Sequence, residues 1–249
     1  MKWILIVCQA LSLSAFTQTV KTENVQLGST TIMLKTHTYN PAKAKAVFLN
    51  LHENESTSVQ ATRQYMAANG GTMVTVNHTG ERNVNFRYKG KSYNFDPNRI
   101  FSKKGRVATL KSLSKSYTNA AEDVAENFAE AIEDKIEDAK IIIAIHNNTE
   151  GNLSVKSYVN SKATTYVNPK QDPDDFVLTT DRRIFDHLRS KKINAVLQSH
   201  KVTSDDGSLS IYCSKKNIPY INIEAQHGHT AEQVRMLNAL TSIINEYLK

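Results

Sequence analysis

Short runs of consecutive apolar residues alternate with amphipathic patterns along this 249-residue chain, and this alternation limits the folds open to it. Residues 46–51 and 141–145 are apolar almost throughout, which suits strands that are buried on both faces of a sheet. Residues 119–138 carry apolar side chains at helical spacing, with acidic residues on the opposite side. The sequence therefore predicts a three-layer α/β/α fold with a mixed, mainly parallel sheet.

The other predicted elements are shorter and are separated by turn residues. Further strands are predicted at residues 30–37, 72–76, 153–159, 164–167, 195–198, 209–213 and 220–223. Helices are predicted at residues 56–68, 182–190 and 230–247. A hairpin is predicted from residues 83–88 and 92–95, because the turn sequence Lys89-Gly90-Lys91 lies between them.

Residues 1–17 have the pattern of a secretory signal peptide. Lys2 precedes a stretch of apolar residues that is too short to span a bilayer, and small residues around Ala15 and Thr17 suit cleavage. A buried N-terminal helix or strand is the alternative. We predict cleavage after Thr17 or just after Ala15, a secreted or periplasmic location, and no stable membrane insertion after cleavage. Residues 18–249 would then form a single catalytic domain.

Cysteine content and charge narrow the function classes. Cys213 is the one cysteine after residue 17, so no intrachain disulfide is expected in the mature protein. The formal net charge is +7, but the basic residues are scattered along the chain. No zinc-finger spacing and no basic stripe with interleaved aromatic residues is present, so a nucleic-acid partner is not expected. The oligomeric state stays open.

Three predicted strands end on a residue with metal or acid–base chemistry. His52 follows residues 46–51, with Glu55 three positions later, and His146 follows residues 141–145. Ligands in open α/β sheets bind at the carboxyl ends of the strands. A catalytic zinc usually has three protein ligands and one open position, and it accepts imidazole and carboxylate. We predict that His52, Glu55 and His146 bind zinc; other divalent metals accept this set, but zinc suits it best.

Five further residues are candidates for catalysis and substrate binding. Glu224, which follows the strand at residues 220–223, could take a proton from a metal-bound water and pass it to a leaving nitrogen. Arg99, beside Asn98, can hold a substrate carboxylate with two parallel hydrogen bonds. Arg87 could face the carbonyl oxygen of the scissile bond. Asn147, directly after the third predicted ligand, could donate a hydrogen bond to the substrate.

The order of these motifs resembles the zinc carboxypeptidase superfamily. The resemblance is closest to its aspartoacylase and succinylglutamate desuccinylase branch, and it covers roughly residues 44–248 through scattered anchors. The anchors are His52-x-x-Glu55, Asp96-Pro97-Asn98-Arg99, His146 and Glu224. The resemblance implies a zinc-bound water and a zinc carboxypeptidase-like fold. It also implies roles for four residues: Glu224 as general base and acid, Asn98 and Arg99 on a substrate carboxylate, and Arg87 on the carbonyl oxygen.

The sequence therefore predicts an exported zinc-dependent hydrolase that cleaves an amide bond in a carboxylate-bearing substrate. A peptide C-terminus, a peptidoglycan-type peptide and an N-acyl amino acid all meet that description. The alternative is a non-catalytic protein that binds a carboxylate ligand or peptide in the same pocket. A structural metal site is a weaker alternative, because it would normally have four protein ligands. His227 and His229 either line the pocket or belong to the loop before the last helix.

Overall fold

A computed structural model describes residues 18–201 and 203–249 of the chain. The signal peptide predicted at residues 1–17 lies outside the described residues. Within the described part, the chain forms a large mixed sheet, a separate two-stranded hairpin and helices on both faces of the sheet. None of the helices found there combines the length and the hydropathy that crossing a membrane requires.

The strands and helices alternate for most of the chain. The strands are β1 (Gln18–Leu27), β2 (Thr30–Tyr39), β3 (Ala46–Asn50), β4 (Gly71–Asn77), β5 (Val84–Tyr88), β6 (Lys91–Phe95), β7 (Ile141–Asn148), β8 (Thr164–Tyr166), β9 (Phe176–Thr179), β10 (Ala195–Leu197) and β11 (Tyr220–Gln226). The helices are α1 (Ser56–Asn69), α2 (Lys103–Leu113), α3 (Asn119–Ile136), α4 (Arg182–Ser190), α5 (Leu209–Lys216) and α6 (Thr230–Leu248).

The large sheet has a parallel centre and antiparallel flanks. Its strand order is β1-β2-β4-β3-β7-β11-β9-β10-β8, and β5 pairs only with β6. The four central strands β4, β3, β7 and β11 run parallel to one another. On either side of them, β2 and β9 pair antiparallel with β4 and β11. The predicted mixed α/β fold is therefore confirmed.

Two hydrophobic cores lie on opposite faces of the sheet. Helices α1, α4 and α6 pack on one face, and α2, α3 and α5 pack on the other. Along β3, Phe48 points into the first core, whereas Val47 and Leu49 point into the second. Burial on both faces explains the unbroken apolar runs, since each fully buried aliphatic side chain contributes roughly 1.5–3 kcal/mol.

Side-chain caps set where several helices begin. Thr118 accepts a hydrogen bond from the backbone N–H of Ala121 at 3.1 Å and starts α3. Asp181 accepts from Arg183 N at 2.7 Å and from Ile184 N, and starts α4. Capping of this kind satisfies amide groups that have no partner within the helix. Both helices accordingly begin where the sequence places a capping residue.

Two predicted strands are wrong. Residues 209–213, predicted as a strand, belong to the helix α5. Leu209 and Cys213, four residues apart, are both fully buried by that helix. Residues 153–159 contain a short 3-10 helix, Val155–Tyr158, in which only Val155 is buried. Periodicity over such short stretches does not separate a strand from a helix.

The hairpin of β5 and β6 is attached to the turn between β1 and β2. The backbone N–H of Ser29 donates to the carbonyl oxygen of Arg87 at 2.8 Å. Gly28 has a φ of +61°, and a Cβ there would lie 2.1 Å from that same oxygen. Glycine is therefore required at this position. The contact fixes the hairpin against the β1–β2 end of the sheet.

Candidate metal centre

Three buried side chains converge where β3 and β7 end. His52 Nδ1 lies 2.9 Å from Glu55 Oε1, and His146 Nδ1 lies 2.9 Å from Glu55 Oε2. The two Nδ1 atoms are 3.2 Å apart. None of the three side chains is more than 3% exposed. The structure thus brings together the three residues that the sequence predicted as metal ligands.

The backbone explains why these residues meet. His52 follows β3, and His146 lies near the end of β7, which is the parallel neighbour of β3. Glu55 directly precedes α1, and its backbone N–H donates to the carbonyl oxygen of His52 at 3.1 Å. This turn directs both side chains to the same point. The carboxyl ends of adjacent parallel strands form the usual ligand-binding edge of an open α/β sheet.

Asp96 orients the first histidine. His52 Nε2 donates a hydrogen bond to Asp96 Oδ1 at 2.8 Å. The same carboxylate oxygen accepts from Asn98 N at 2.8 Å, and the backbone N–H of Asp96 donates to Thr109 Oγ1. A hydrogen on Nε2 leaves Nδ1 as the atom that faces Glu55 and His146. Carboxylates commonly hold metal-binding histidines in this way.

The electrostatics of the cluster favour a cation. Burial lowers the pKa of His52, but the charge of Glu55 and the hydrogen bond to Asp96 outweigh burial and raise it to about 9. Burial alone would raise the pKa of Glu55, yet the charges of His146 and His52 hold it well below its usual range. Two imidazole nitrogens 3.2 Å apart require a proton or a metal ion between them. One carboxylate and two imidazoles suit zinc, with a further coordination position open.

Glu224 is adjacent to this cluster. It lies on β11 in direct register with His146 on β7, so both side chains project from the same face. Asn222 Nδ2 donates a hydrogen bond to Glu224 Oε1 at 3.1 Å. Burial raises the pKa of the Glu224 carboxyl, and the charge of His146 acts in the opposite direction. A carboxylate with a raised pKa is a suitable general base.

A cavity of about 360 Å³ opens onto the cluster. It is large enough for a ligand of one or two amino-acid residues. Polar and charged side chains dominate its lining, which includes Asn54, Glu55, Arg82, Asn98, Arg99, His146, Tyr158, Asp206, Glu224 and His227. The cavity therefore has cationic groups to hold a carboxylate as well as the candidate metal ligands.

Arg82, and not Arg87, is the arginine that lies beside Glu55 in the cavity. Arg82 Nη1 lies 2.8 Å from Glu55 Oε1, its Nη2 lies 3.8 Å from Asp96 Oδ2, and the residue lines the cavity. Arg87 is an exposed residue of β5 and is not part of the cavity lining. The hairpin that carries Arg87 is fixed to the β1–β2 turn, so the prediction that Arg87 faces a substrate carbonyl is not supported by its position.

The loop that carries Arg82 is held by Glu53. The Glu53 carboxylate accepts hydrogen bonds from His78 N at 2.6 Å, from Gly80 N at 2.7 Å and from Asn77 Nδ2 at 3.1 Å. These contacts fix the chain that leaves β4. Because β4 is the parallel neighbour of β3, its carboxyl end lies at the same edge as His52. That adjacency brings the loop after β4 to the cluster, but no pattern in the loop itself marks Arg82.

Asn98 and Arg99, the residues predicted to bind a substrate carboxylate, both line the cavity. Arg99 Nη1 donates to the backbone oxygen of Asn98 at 3.1 Å and lies 3.4 Å from Asp206 Oδ2. Asn98 Oδ1 accepts from Leu209 N at 3.1 Å, which connects this segment to the start of α5. A Cβ on Gly105 would lie 2.3 Å from the Cα of Gly207. The segments around Arg99 and Asp206 are therefore packed closely together.

Asn147 has a structural role. Its Oδ1 accepts from the backbone N–H of Ser58 at 2.9 Å, close to the start of α1. Its Nδ2 donates to the carbonyl oxygen of Ala225 and to Gln233 Oε1, each at 3.2 Å. Both amide hydrogens are therefore already used. The prediction that Asn147 donates a hydrogen bond to the substrate is not supported by this arrangement.

The two histidines after β11 differ in position. His227 lines the cavity. His229 directly precedes α6, and its Nδ1 lies 3.1 Å from Asp175 Oδ2 and outside the cavity lining. His227 therefore lines the pocket, whereas His229 belongs to the loop before the last helix.

Comparison with known proteins gives structural matches only. No protein-family model matches the sequence. No curated protein matches it. An aspartoacylase family protein from Mesorhizobium loti aligns with 93% of this chain and 68% of its own, at 12% identity and a TM-score of 0.44.

Two other solved structures show a similar degree of likeness. A protein named as a metallopeptidase from Shewanella baltica aligns with 92% of this chain and 85% of its own, at 10% identity and a TM-score of 0.43. One named as a carboxypeptidase A from Shewanella denitrificans aligns with 91% of this chain and 65% of its own, at 9% identity and a TM-score of 0.44.

Proposed function

We propose that this protein is a zinc-dependent hydrolase that cleaves an amide bond in a carboxylate-bearing substrate. One observation carries the proposal. Three buried ligand atoms, on His52, Glu55 and His146, converge at the wall of a cavity that Glu224 also lines. Such a set leaves one coordination position open, as catalytic zinc sites do.

The residues present fit a zinc ion. His52 Nδ1, His146 Nδ1 and a Glu55 carboxylate oxygen would hold it, and Asp96 would keep His52 in the required tautomer. A zinc ion bound there supplies a Lewis acid and lowers the pKa of water at the open position.

Glu224 moves the proton in this proposal. Its ionised carboxylate accepts a proton from the attacking water at Oε1 or Oε2 and later donates it to the leaving nitrogen. Asn222 holds Oε1 through its amide nitrogen. Because burial raises the pKa of Glu224, the carboxyl holds a proton more readily than an exposed glutamate does. This property suits a group that must both accept and donate.

Two arginines have separate tasks in the proposal. Arg82 provides positive charge for the carbonyl oxygen as negative charge develops on it. Arg99, with Asn98, binds the free carboxylate of the substrate. In the free protein Arg99 lies 3.4 Å from the Asp206 carboxylate. A substrate carboxylate would replace Asp206 as the partner of Arg99.

The zinc-loaded protein should be tested on matched pairs of substrates. N-acyl amino acids and N-acyl dipeptides with free C-termini would be compared with their C-terminally amidated forms. We expect hydrolysis of the free acids, weak or no hydrolysis of the amides, loss of activity with a chelator and recovery with zinc. Activity that survives complete zinc removal would contradict the proposal. Tight binding of the free acids without turnover would favour the non-catalytic binding protein.

We also propose that the protein is exported and that residues 18–249 form one catalytic domain. The charged and apolar pattern of residues 1–17 supports export. Sequencing the N-terminus of the protein recovered from an expressing cell tests this. A mature N-terminus near residues 16–18 is expected, and an N-terminus that retains Met1 would contradict export by this route.

A further inference from the structure

A second cavity, of about 380 Å³, lies between α1 and the sheet and shares no lining residue with the first. Its lining includes the side chains of Lys35, His37, Asn50, Glu53 and Arg63. The two cavities therefore belong to opposite faces of the sheet, because α1 covers one face and α5 the other.

The strand register places these side chains together. Lys35 on β2 and Asn50 on β3 are both in register with Thr75 on the intervening strand β4. His37 is two residues beyond Lys35 and shares its face. Arg63 comes from α1, which lies over that face. Four nitrogen-bearing side chains from three elements are therefore gathered around one cavity.

Two of these four side chains have a buried hydrogen-bond donor that lacks an acceptor. His37 is 7% exposed and Asn50 is 2% exposed. Within residues 18–201 and 203–249, His37 Nε2 and Asn50 Nδ2 have no hydrogen-bond partner. Gln18 Nε2 lies 3.4 Å from His37 Nδ1, and because an amide nitrogen can only donate, His37 Nδ1 accepts and Nε2 carries the hydrogen. Buried donors without acceptors are unfavourable unless a ligand or water accepts from them.

The charge around the cavity is mostly positive. Lys35 and Arg63 form no salt bridge with any residue that the structure describes. Burial lowers the pKa of His37, and the charges of Arg63 and Lys35 lower it further, so both cations act on this ring. Glu53 is the carboxylate in the lining, but it already accepts hydrogen bonds from His78 N and Gly80 N.

We propose that this second cavity binds a small, doubly charged oxyanion of the phosphate or sulfate type. His37 Nε2 and Asn50 Nδ2 donate to its oxygens, and Lys35 and Arg63 supply the compensating charge. Donors fixed in a buried wall together with a guanidinium and an ammonium are the groups that bind such anions in proteins. The site is independent of the proposed hydrolase activity.

Calorimetric titration of the zinc-loaded protein with inorganic phosphate tests the proposal. Arg99→Gln serves as the background, because it removes one of the two arginines, Arg82 and Arg99, that line the first cavity. In that background we expect one phosphate per chain to bind in the second cavity, and Arg63→Gln should weaken this binding by about tenfold or more. Lys21→Gln removes the same charge from the exposed strand β1 and should leave affinity unchanged. Sulfate should compete with phosphate, whereas acetate, with a single charge, should not.

Nuclear magnetic resonance gives a second readout that does not depend on a variant of the binding groups. The His37 imidazole signal, assigned by its absence from His37→Gln, should shift on phosphate addition to the wild type and saturate with the calorimetric affinity. Phosphate binding that Arg63→Gln leaves unchanged, or a His37 signal that does not respond to saturating phosphate, would overturn the proposal. Failure of the hydrolase assays would leave both readouts unaffected.

Discussion

His52 Nε2 donates a hydrogen bond to Asp96 Oδ1 at 2.8 Å. This bond joins two motifs that are 44 residues apart in the chain. On one side is the turn that carries His52 and Glu55, and on the other is the segment that leads from Asp96 to Asn98 and Arg99. The candidate metal ligands and the segment that carries Asn98 and Arg99 are therefore positioned by the same carboxylate.

Asp96→Asn should weaken zinc binding without removing a ligand. The amide keeps the size of the carboxylate but loses the charge that favours a hydrogen on His52 Nε2. Loss of such an outer carboxylate typically lowers metal affinity by about 10–100-fold. Zinc affinity measured by competition with a chromophoric chelator tests this, with the exposed Asp134→Asn as control. Equal affinity of Asp96→Asn and wild type would contradict the orienting role.

Arg82 and Arg87 form a matched pair for the carbonyl-oxygen role. Arg82→Gln should reduce kcat by about 10²–10³-fold, the usual effect of losing one donor to a developing oxyanion. Arg87→Gln removes the same charge from an exposed strand position and should leave kcat unchanged. Steady-state kinetics on one N-acyl amino acid substrate compare the two. A large loss of kcat in Arg87→Gln and none in Arg82→Gln would mean that Arg87 contacts the carbonyl oxygen.

Glu224→Gln should remove activity and retain zinc. General acid–base catalysis by a positioned carboxylate is worth about 10²–10⁴-fold, so kcat should fall within that range. Zinc content should stay at the wild-type level, because Glu224 is not one of the three converging ligands. Substantial residual turnover by the variant would show that another group handles the proton.

Ionisation of the Glu224 carboxyl should make both kcat/KM and the folding stability depend on pH. Since burial raises its pKa, the acid limb of kcat/KM should have its midpoint above the ordinary value of 4.5. A raised pKa means that the folded state binds this proton more tightly than the unfolded state, so ionisation at higher pH opposes folding. Zinc-free Glu224→Gln should therefore have a higher Tm than zinc-free wild type at neutral pH. The difference should disappear below the unfolded-state pKa, and a lower Tm for the variant at neutral pH would contradict this.

Asp206→Asn should strengthen substrate binding. The Asp206 carboxylate lies 3.4 Å from Arg99 Nη1, and both side chains are more than 40% exposed. An exposed pair of this kind is worth about 0.2–1 kcal/mol, so removing it should lower KM for a free-acid substrate by up to about fivefold. The value of kcat should not change. A raised KM would mean that Asp206 contacts the substrate directly and favourably.

The strand ends could be predicted from the sequence, and the loops between them could not. His52, His146 and Glu224 each follow an apolar run whose burial on both faces of the sheet is a strong local signal. Arg82 lies in a loop without periodicity. Its position depends on the backbone amides that Glu53 binds, which is a contact between residues 25 and 27 positions apart.

Two other differences between the sequence-based predictions and the structure have the same physical cause. The strand β1 was not predicted because most of its residues are exposed, and an exposed edge strand has no buried face to produce alternating hydrophobicity. Asn147 is predicted to bind substrate because it follows His146. Its side-chain amide instead forms hydrogen bonds with Ser58 of α1 and Gln233 of α6, which are distant in sequence. Tertiary hydrogen bonds of this kind leave no pattern in the local sequence.

In the proposed function, His52, Glu55 and His146 bind one zinc ion per chain. Elemental analysis of the purified protein after zinc addition and removal of free metal tests it directly. We expect about one zinc per chain in the wild type and in Arg87→Gln, and loss of stoichiometric zinc in His146→Ala, because two ligands rarely hold zinc tightly. Absence of stoichiometric zinc from folded wild-type protein, or zinc that remains fully bound in His146→Ala, would contradict zinc binding by these three residues.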